Sequence, residues 1–446
     1  MLSCGNIMGS DSTVREWLES TKKNGMALGL HTTQTILDEL NINLKKTTII
    51  HVAGSNGKGT LCSLLSASLT LNGDSNIMFS SPHLCRLEER IRLDGKPVSV
   101  EEFDLSLQTV KSVAKNLAIM PTFFETTFLS AMVYCAKIKP RFLILETGLG
   151  GRLDATRCSP ADICVLTSIT TEHTNVLGSD IYQIITEKAA IARPGKPIIV
   201  RHMGIKSFEE TVNYCAESCA VELLDEPKDA AICQFVKIPE DVNALDEAEV
   251  LANAVFELLT IDTAVVSKAK NKLNWPARMQ IIEHKSGHRL ILDAAHNPSG
   301  LARVKSQLIF LAKQHNSADK LCLLFGTSPQ EELDKMLNLV REICRNFAFV
   351  EICFTKPTGG RYPPIEPEYL ASFDWQDFDV KIYSDCNDAI ATILRNEPAD
   401  VGNILSIGSL YLQGNILNYL GKNSDDDLSL VPKQSNLNAY RDQRLT

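Results

Sequence analysis

Several marks of common protein classes are missing from this chain. Its 13 cysteines contain no Cys-x-x-Cys pair, which removes zinc-ribbon and thioredoxin-type readings. No apolar run reaches the roughly 18 residues of a membrane span. Residues 1–11 carry neither a basic region nor a long apolar core, so no secretory signal is expected. Arginine is sparse there, so a cytoplasmic location is expected, with a mitochondrial pool left open. Basic residues do not exceed acidic ones: 45 against 54 give a net charge of −9. A general nucleic-acid surface is therefore not expected, although a local basic pocket is allowed. There is no internal repeat and no low-complexity tract.

What is present is ordinary globular composition, 44% hydrophobic and 22% charged. At roughly 150 residues per domain, 446 residues predict two to three domains. The odd number of cysteines, scattered through apolar runs, fits free thiols in a reducing compartment.

Strand-like and helix-like runs alternate along the chain. Residues 48–53, 142–146, 163–167 and 197–200 read as buried strands, and 61–71 and 181–192 as helices. This rhythm predicts an α/β fold with a parallel-rich sheet covered on both faces. Around Asn274-Trp275-Pro276 the pattern breaks, and a second alternating series runs from 289 to 420. The expected organisation is a first domain over 1–274, a smaller Rossmann-like α/β domain over 275–421 and a flexible polar tail over 422–446.

Five segments carry chemistry. Gly54-Ser55-Asn56-Gly57-Lys58-Gly59-Thr60 lies between a strand and a helix, the setting of a phosphate loop. There, backbone N–H groups and a lysine hold phosphate, and a hydroxyl reaches Mg²⁺. The strict Walker spacing fails, because Gly59 separates Lys58 from Thr60. Glu146 ends a strand and precedes Thr147-Gly148-Leu149-Gly150-Gly151-Arg152-Leu153-Asp154. It reads as a metal ligand or as a solvated turn residue. His173, in Thr171-Glu172-His173-Thr174, reads as a cation ligand or a structural histidine. Lys188 sits on a helix among alanine and isoleucine, either snorkelling or desolvated and modified. Asp293-Ala294-Ala295-His296-Asn297-Pro298 reads as a ligand-binding turn, as a helix start capped by Asn297, or as both.

Taken in order, these segments resemble the folate branch of the Mur-type ligases, the dihydrofolate synthase and folylpolyglutamate synthase family. The resemblance also includes SSPHL (80–84), ERIRLDG (89–95), FFET (123–126), TEKAAI (186–191), WPARMQ (275–280) and IGSLYL (407–412). It implies an ATP- and Mg²⁺-dependent ligase that activates a pterin-bearing carboxylate as an acyl phosphate and joins it to glutamate. By resemblance, Gly54, Asn56, Gly57, Lys58, Gly59 and Thr60 hold the phosphates. Thr60, Ser81, Glu146 and His173 ligate one or two Mg²⁺ ions. Lys188 is the carbamylated lysine and, with Lys58 and His173, serves catalysis. Asn253, Arg278, Asp293 and His296 also meet the nucleotide, while Phe124, Glu125, Arg152 and Asp154 face the substrate. The expected partners are small molecules alone (pteroate or folate, L-glutamate and ATP), and a monomer is implied.

Three positions depart from the family pattern. Glu172 replaces an aspartate, Ala190 a glycine and Val250 a glutamine. Asn56 in the loop favours dihydropteroate as acceptor. The alternatives are a folylpolyglutamate synthase or bifunctional enzyme, and a non-catalytic nucleotide-binding relative.

Overall fold

The computed structural model describes residues 11–25, 29–171, 174–222, 229–240, 242–314, 319–330, 332–360 and 363–431. The described residues fall into two compact units. The first lies within Met1–His83, Leu87–Asn274 and Ser429–Thr446, the second within Leu84–Arg86 and Trp275–Leu428. The sequence-based division had no place for two of these exchanges: the tripeptide Leu84–Arg86 and the return of the chain at Ser429.

The first unit is built on eight strands: β1 (Thr48–Ala53), β2 (Asn76–Phe79), β3 (Ile91–Leu93), β4 (Lys96–Pro97), β5 (Phe142–Glu146), β6 (Ile163–Leu166), β7 (Pro197–Arg201) and β8 (Ile232–Val236). Their order is β4-β3-β2-β5-β1-β6-β7-β8. From β2 to β8 every pairing is parallel, and β3 and β4 add an antiparallel edge. β1, β5 and β6 are covered on both faces, so they read as continuous apolar runs rather than alternating ones. Being adjacent and parallel, they end at the same sheet edge, where open α/β sheets present ligand groups.

The helix after β1 runs Lys58–Asn72, one turn earlier than the sequence reading. Gly57, at φ +86°, makes the left-handed turn that starts it. Thr60 through Leu69 are all buried, because this helix packs against the helices Ala244–Leu258 and Ala264–Lys270. Its buried serines bond within the protein, as Ser66 does to Asn76 at 2.6 Å.

The second unit has six strands: β9 (Gln280–Glu283), β10 (Arg289–Leu292), β11 (Lys320–Phe325), β12 (Phe349–Phe354), β13 (Asp379–Ile382) and β14 (Asn403–Ile407). Their order is β13-β12-β11-β14-β10-β9, parallel except for β9. Separate apolar clusters cover its two faces, one around Phe325, Phe354 and Trp375 and the other around Leu324, Ile390 and Ile416.

The expected flexible tail from 422 needs correction over its first ten residues. Leu428 and Leu430 are fully buried. Leu430 accepts from Asn274 N–H and donates to Gly95 carbonyl, both at 2.9 Å. The apolar residues after the acidic run give this segment a surface to bury and backbone groups to pair. Residues 432–446 lie outside the described residues.

Candidate active site at the strand ends of the first unit

Gly54 follows β1 at φ +145°, and a Cβ there would lie 1.9 Å from Thr167 Oγ1. Only glycine lets the loop turn this close to the end of β6. The contact is then stitched by side chains. Thr167 Oγ1 donates to Asn56 carbonyl at 2.8 Å, and Ser55 Oγ both donates to Thr170 carbonyl and accepts its N–H, each at 3.1 Å. Thr167, Ser168 and Thr170 were not among the predicted site residues. The polar Thr-Ser-x-Thr after an apolar strand was the available signal.

Two lysines converge on this loop. Lys58 Nζ donates to Gly54 carbonyl at 2.8 Å and to Ser55 carbonyl at 3.1 Å. Lys188 Nζ donates to the same Gly54 carbonyl at 3.0 Å. The two nitrogens are thus within about 6 Å of each other. Lys188 is only 2% exposed, so the desolvated reading of this lysine holds over the snorkelling one. Cationic side chains gathered on a loop that leads into a helix N-terminus suit a phosphate chain. Ala190 caps the helix of Lys188 with ordinary right-handed backbone, φ −64°. The glycine usual at that position is therefore not required by the backbone here.

Glu146 ends β5 beside β1, registered against Val52. It is 6% exposed, and Oε2 accepts the Ser81 N–H at 3.3 Å. The neighbouring Cys62 thiol is pushed up by burial and by Glu146, and drawn down by Lys58. Both charges therefore act at Cys62, one turn into the helix that also bears the buried Thr60. Thr60, Ser81 and Glu146 offer hard oxygen donors, the set that suits Mg²⁺ rather than a soft ion. Glu172 and His173 lie outside the described residues.

The second glycine loop is different. Asp154 Oδ2 accepts the N–H groups of Gly148 and Leu149, both at 2.9 Å, and Oδ1 accepts from Thr156 N–H and Oγ1. Burial raises its pKa against these bonds. Arg152 pairs with Glu187 at 2.7 Å and also bonds its backbone carbonyl. A Cβ on Gly151 would meet the Glu187 and Lys188 carbonyls at 2.8 and 2.9 Å. The loop is thereby pressed onto the helix that carries Lys188. Of the two residues predicted to face substrate, Asp154 is occupied in holding the loop itself and Arg152 in holding it to that helix.

The same correction applies to Glu125. Its carboxylate closes a capping box with Thr122 and accepts from Thr33 Oγ1 at 2.9 Å, so both oxygens serve structure. Phe124 is only partly buried and packs on Phe79, centroids 5.7 Å apart. A Cβ on Gly148 would lie 2.5 Å from its ring. Phe124 therefore remains a candidate for a flat ligand. Asn253 Oδ1 is buried without a partner, an acceptor that an amino group of a base would satisfy.

In the second unit, Asp293 follows β10 and accepts the N–H groups of Met279 and Ala295 at 3.0 and 2.8 Å. Burial raises its pKa, and Arg278 lowers it. Arg278 stands between two left-handed non-glycine residues, Ala277 at φ 58° and Met279 at φ 50°. This strained turn is held by Gln280 and Asp293, a cost usually met at functional sites. Exposed His296 sets Nδ1 3.0 Å from Ala294 carbonyl. Asn297 caps the following helix with Pro298 at its start.

No family model matches the chain. Individual proteins do. The chain is 38% identical over 314 residues to the dihydrofolate synthase/folylpolyglutamate synthase of Escherichia coli, which is 67% of this chain and 72% of that one. The structure of E. coli FolC in complex with DHPP and ADP matches at TM-score 0.76 and 25% identity, over 92% of this chain and 97% of that one. The bifunctional folylpolyglutamate synthase/dihydrofolate synthase of Yersinia pestis, complexed with AMPPNP and Mn ion, matches at 0.76 and 25%, over 94% and 100%.

The fold and the lysine-bearing loop thus define an ATP-dependent ligase built from two α/β units. The chain belongs to the dihydrofolate synthase/folylpolyglutamate synthase family. Among the described residues, no helix is long and apolar enough to cross a membrane.

Proposed function

We propose that this ligase joins L-glutamate to 7,8-dihydropteroate, using ATP and Mg²⁺. The observation that carries the reading is the pair of lysines on the Gly54 carbonyl beside the buried Glu146. Carboxylate attack on a phosphate brings two anions together, so positioned cations set the rate. In this reading Lys58 and the N–H groups of 54–60 hold the phosphates, with Asn253 on the base. The pteroate carboxylate attacks the γ-phosphorus, ADP departs and an acyl phosphate forms. The glutamate amine then attacks the acyl carbon, phosphate leaves and the amine gives up a proton.

Thr60, Ser81, Glu146 and His173 would hold the metal, which neutralises phosphate charge. Lys188 would carry CO₂ as a carbamate, turning a buried cation into an anion while one N–H still reaches Gly54 carbonyl. Phe124 would lie against the pterin, and Arg278, Asp293 and His296 would serve the nucleotide. We place the protein in the cytoplasm as a monomer.

The test is a paired assay with ATP, Mg²⁺ and glutamate. One tube receives dihydropteroate and the other a tetrahydrofolate monoglutamate, with products read by mass. Product from dihydropteroate is expected. Product from the folate alone would make the chain a polyglutamate synthase, and product from neither would leave a nucleotide-binding relative.

A further inference from the structure

We propose that the second unit contains a site for a thiophilic divalent cation of the Zn²⁺ class, formed by Cys322, Cys353 and Glu351. The strands explain the grouping. β11 and β12 are parallel neighbours with Cys322 registered against Glu351. Because side chains alternate faces, Cys322, Glu351 and Cys353 emerge on the same one. The two sulfurs are 3.9 Å apart, and Glu351 Oε1 lies 3.4 Å from Cys353 Sγ and 4.0 Å from Cys322 Sγ. A tetrahedral zinc ion with Zn–S near 2.3 Å sets its sulfur ligands about 3.8 Å apart and a carboxylate oxygen slightly nearer. The triangle in the structure has nearly those edges.

The alternative use of two close thiols, a disulfide, is disfavoured by the same register. Cys322 and Cys353 are diagonal neighbours on parallel strands about 4.8 Å apart, offset by two residues of about 3.3 Å rise, which sets their Cα atoms roughly 8 Å apart. That is beyond the ~7 Å that a disulfide spans without moving the backbone. The pair stays a dithiol, and a metal ion bridges it without distortion.

Charge and access also fit. Glu351 Oε2 is ion-paired to Lys381, which turns Oε1 toward the sulfurs. Two thiolates and one carboxylate against a divalent cation and Lys381 sum to zero. Both cysteines are buried, while the Glu351 side chain is 26% exposed, so an ion enters past the carboxylate. Three protein ligands leave a fourth position for water. The sulfur-rich set is chemically unlike the oxygen donors Thr60, Ser81 and Glu146, so the two sites sort soft from hard ions.

The experiment titrates the metal-free full-length protein with Cd²⁺, a spectroscopic substitute for Zn²⁺, under excess Mg²⁺. The readouts are the sulfur-to-cadmium charge-transfer band and the metal retained per chain after desalting. Wild type is expected to retain one ion that the Cys322→Ser/Cys353→Ser double variant does not, with the band lost in that variant. Glu351→Gln is expected to keep the band and weaken binding about tenfold. Cys386→Ser, in the same apolar cluster, is expected to change neither readout. Retention of the same ion and band by the double variant would overturn the proposal, as would no uptake by wild type. Should the double variant fail to fold, unchanged affinity in Glu351→Gln would overturn it instead.

Discussion

Two glycine-rich loops leave the same edge of the large sheet, residues 54–60 after β1 and 147–154 after β5, and they spend their polar groups in opposite ways. In the first loop, two lysines crowd one carbonyl, which gathers cationic side chains at the end of β1. In the second, Asp154 accepts two hydrogen bonds from its own loop and two from Thr156 just beyond it, and Arg152 is paired with Glu187. In the proposed function the first loop receives the phosphates, and the second fixes the helix that brings Lys188 to the first. Glycine spacing alone does not separate these roles. Which groups the charged side chains bond in the folded loop does.

The sharpest way to break this comparison is Lys58→Ala. If the first loop is the phosphate cradle, glutamate-dependent turnover should fall about 10²–10³-fold, the usual cost of losing one electrostatic stabiliser. Stability to urea should hardly move. Asp154→Ala should do the reverse at the level of the fold. Four donors lose their acceptor in the interior, and unfolding in urea should show a loss of about 3 kcal/mol.

The scaffold also predicts a pH dependence. His51 Nε2 lies 2.8 Å from Thr156 Oγ1 beneath the second loop, and burial, aided by Arg193 and Arg157, holds its pKa well below 6.5. The folded state keeps this histidine neutral while the unfolded chain takes up a proton. Its contribution is therefore complete above pH 6.5 and declines as pH falls below it, by about 1 kcal/mol per unit. Asp154, with its raised pKa, acts oppositely: its contribution falls as pH rises from 3.8 toward the folded value. Urea midpoints between pH 6.5 and 5.5 should show a shallower decline in His51→Gln than in wild type. The smallest effect belongs to Glu125→Gln. The capping box should weaken by about 1 kcal/mol in urea, with turnover within about twofold.

Much of this was legible in the sequence. The strand, glycine loop and helix around Lys58 could be read because local pattern and chemistry agree there. Lys188 was marked by its apolar neighbours. The structural use of Glu125 also had a signal, since Thr122-Phe123-Phe124-Glu125 spells a capping box. Arg152 and Asp154 were not separable from ligand groups, because their partners Glu187 and the Gly148 N–H meet them only in the folded loop. The docking of Leu428 and Leu430 was hidden behind a polar run. The Cys322–Glu351–Cys353 triangle depends on the register between two strands, which no single segment encodes.

The most direct measurement is glutamate-dependent phosphate release from ATP by Lys188→Ala beside Arg152→Ala, at saturating ATP and pteroate. The account predicts a loss of at least about 10³-fold for Lys188→Ala, with ATP binding retained. For Arg152→Ala, whose partly exposed ion pair only braces the helix, it predicts a loss of a few-fold. Near-normal turnover in Lys188→Ala would contradict it.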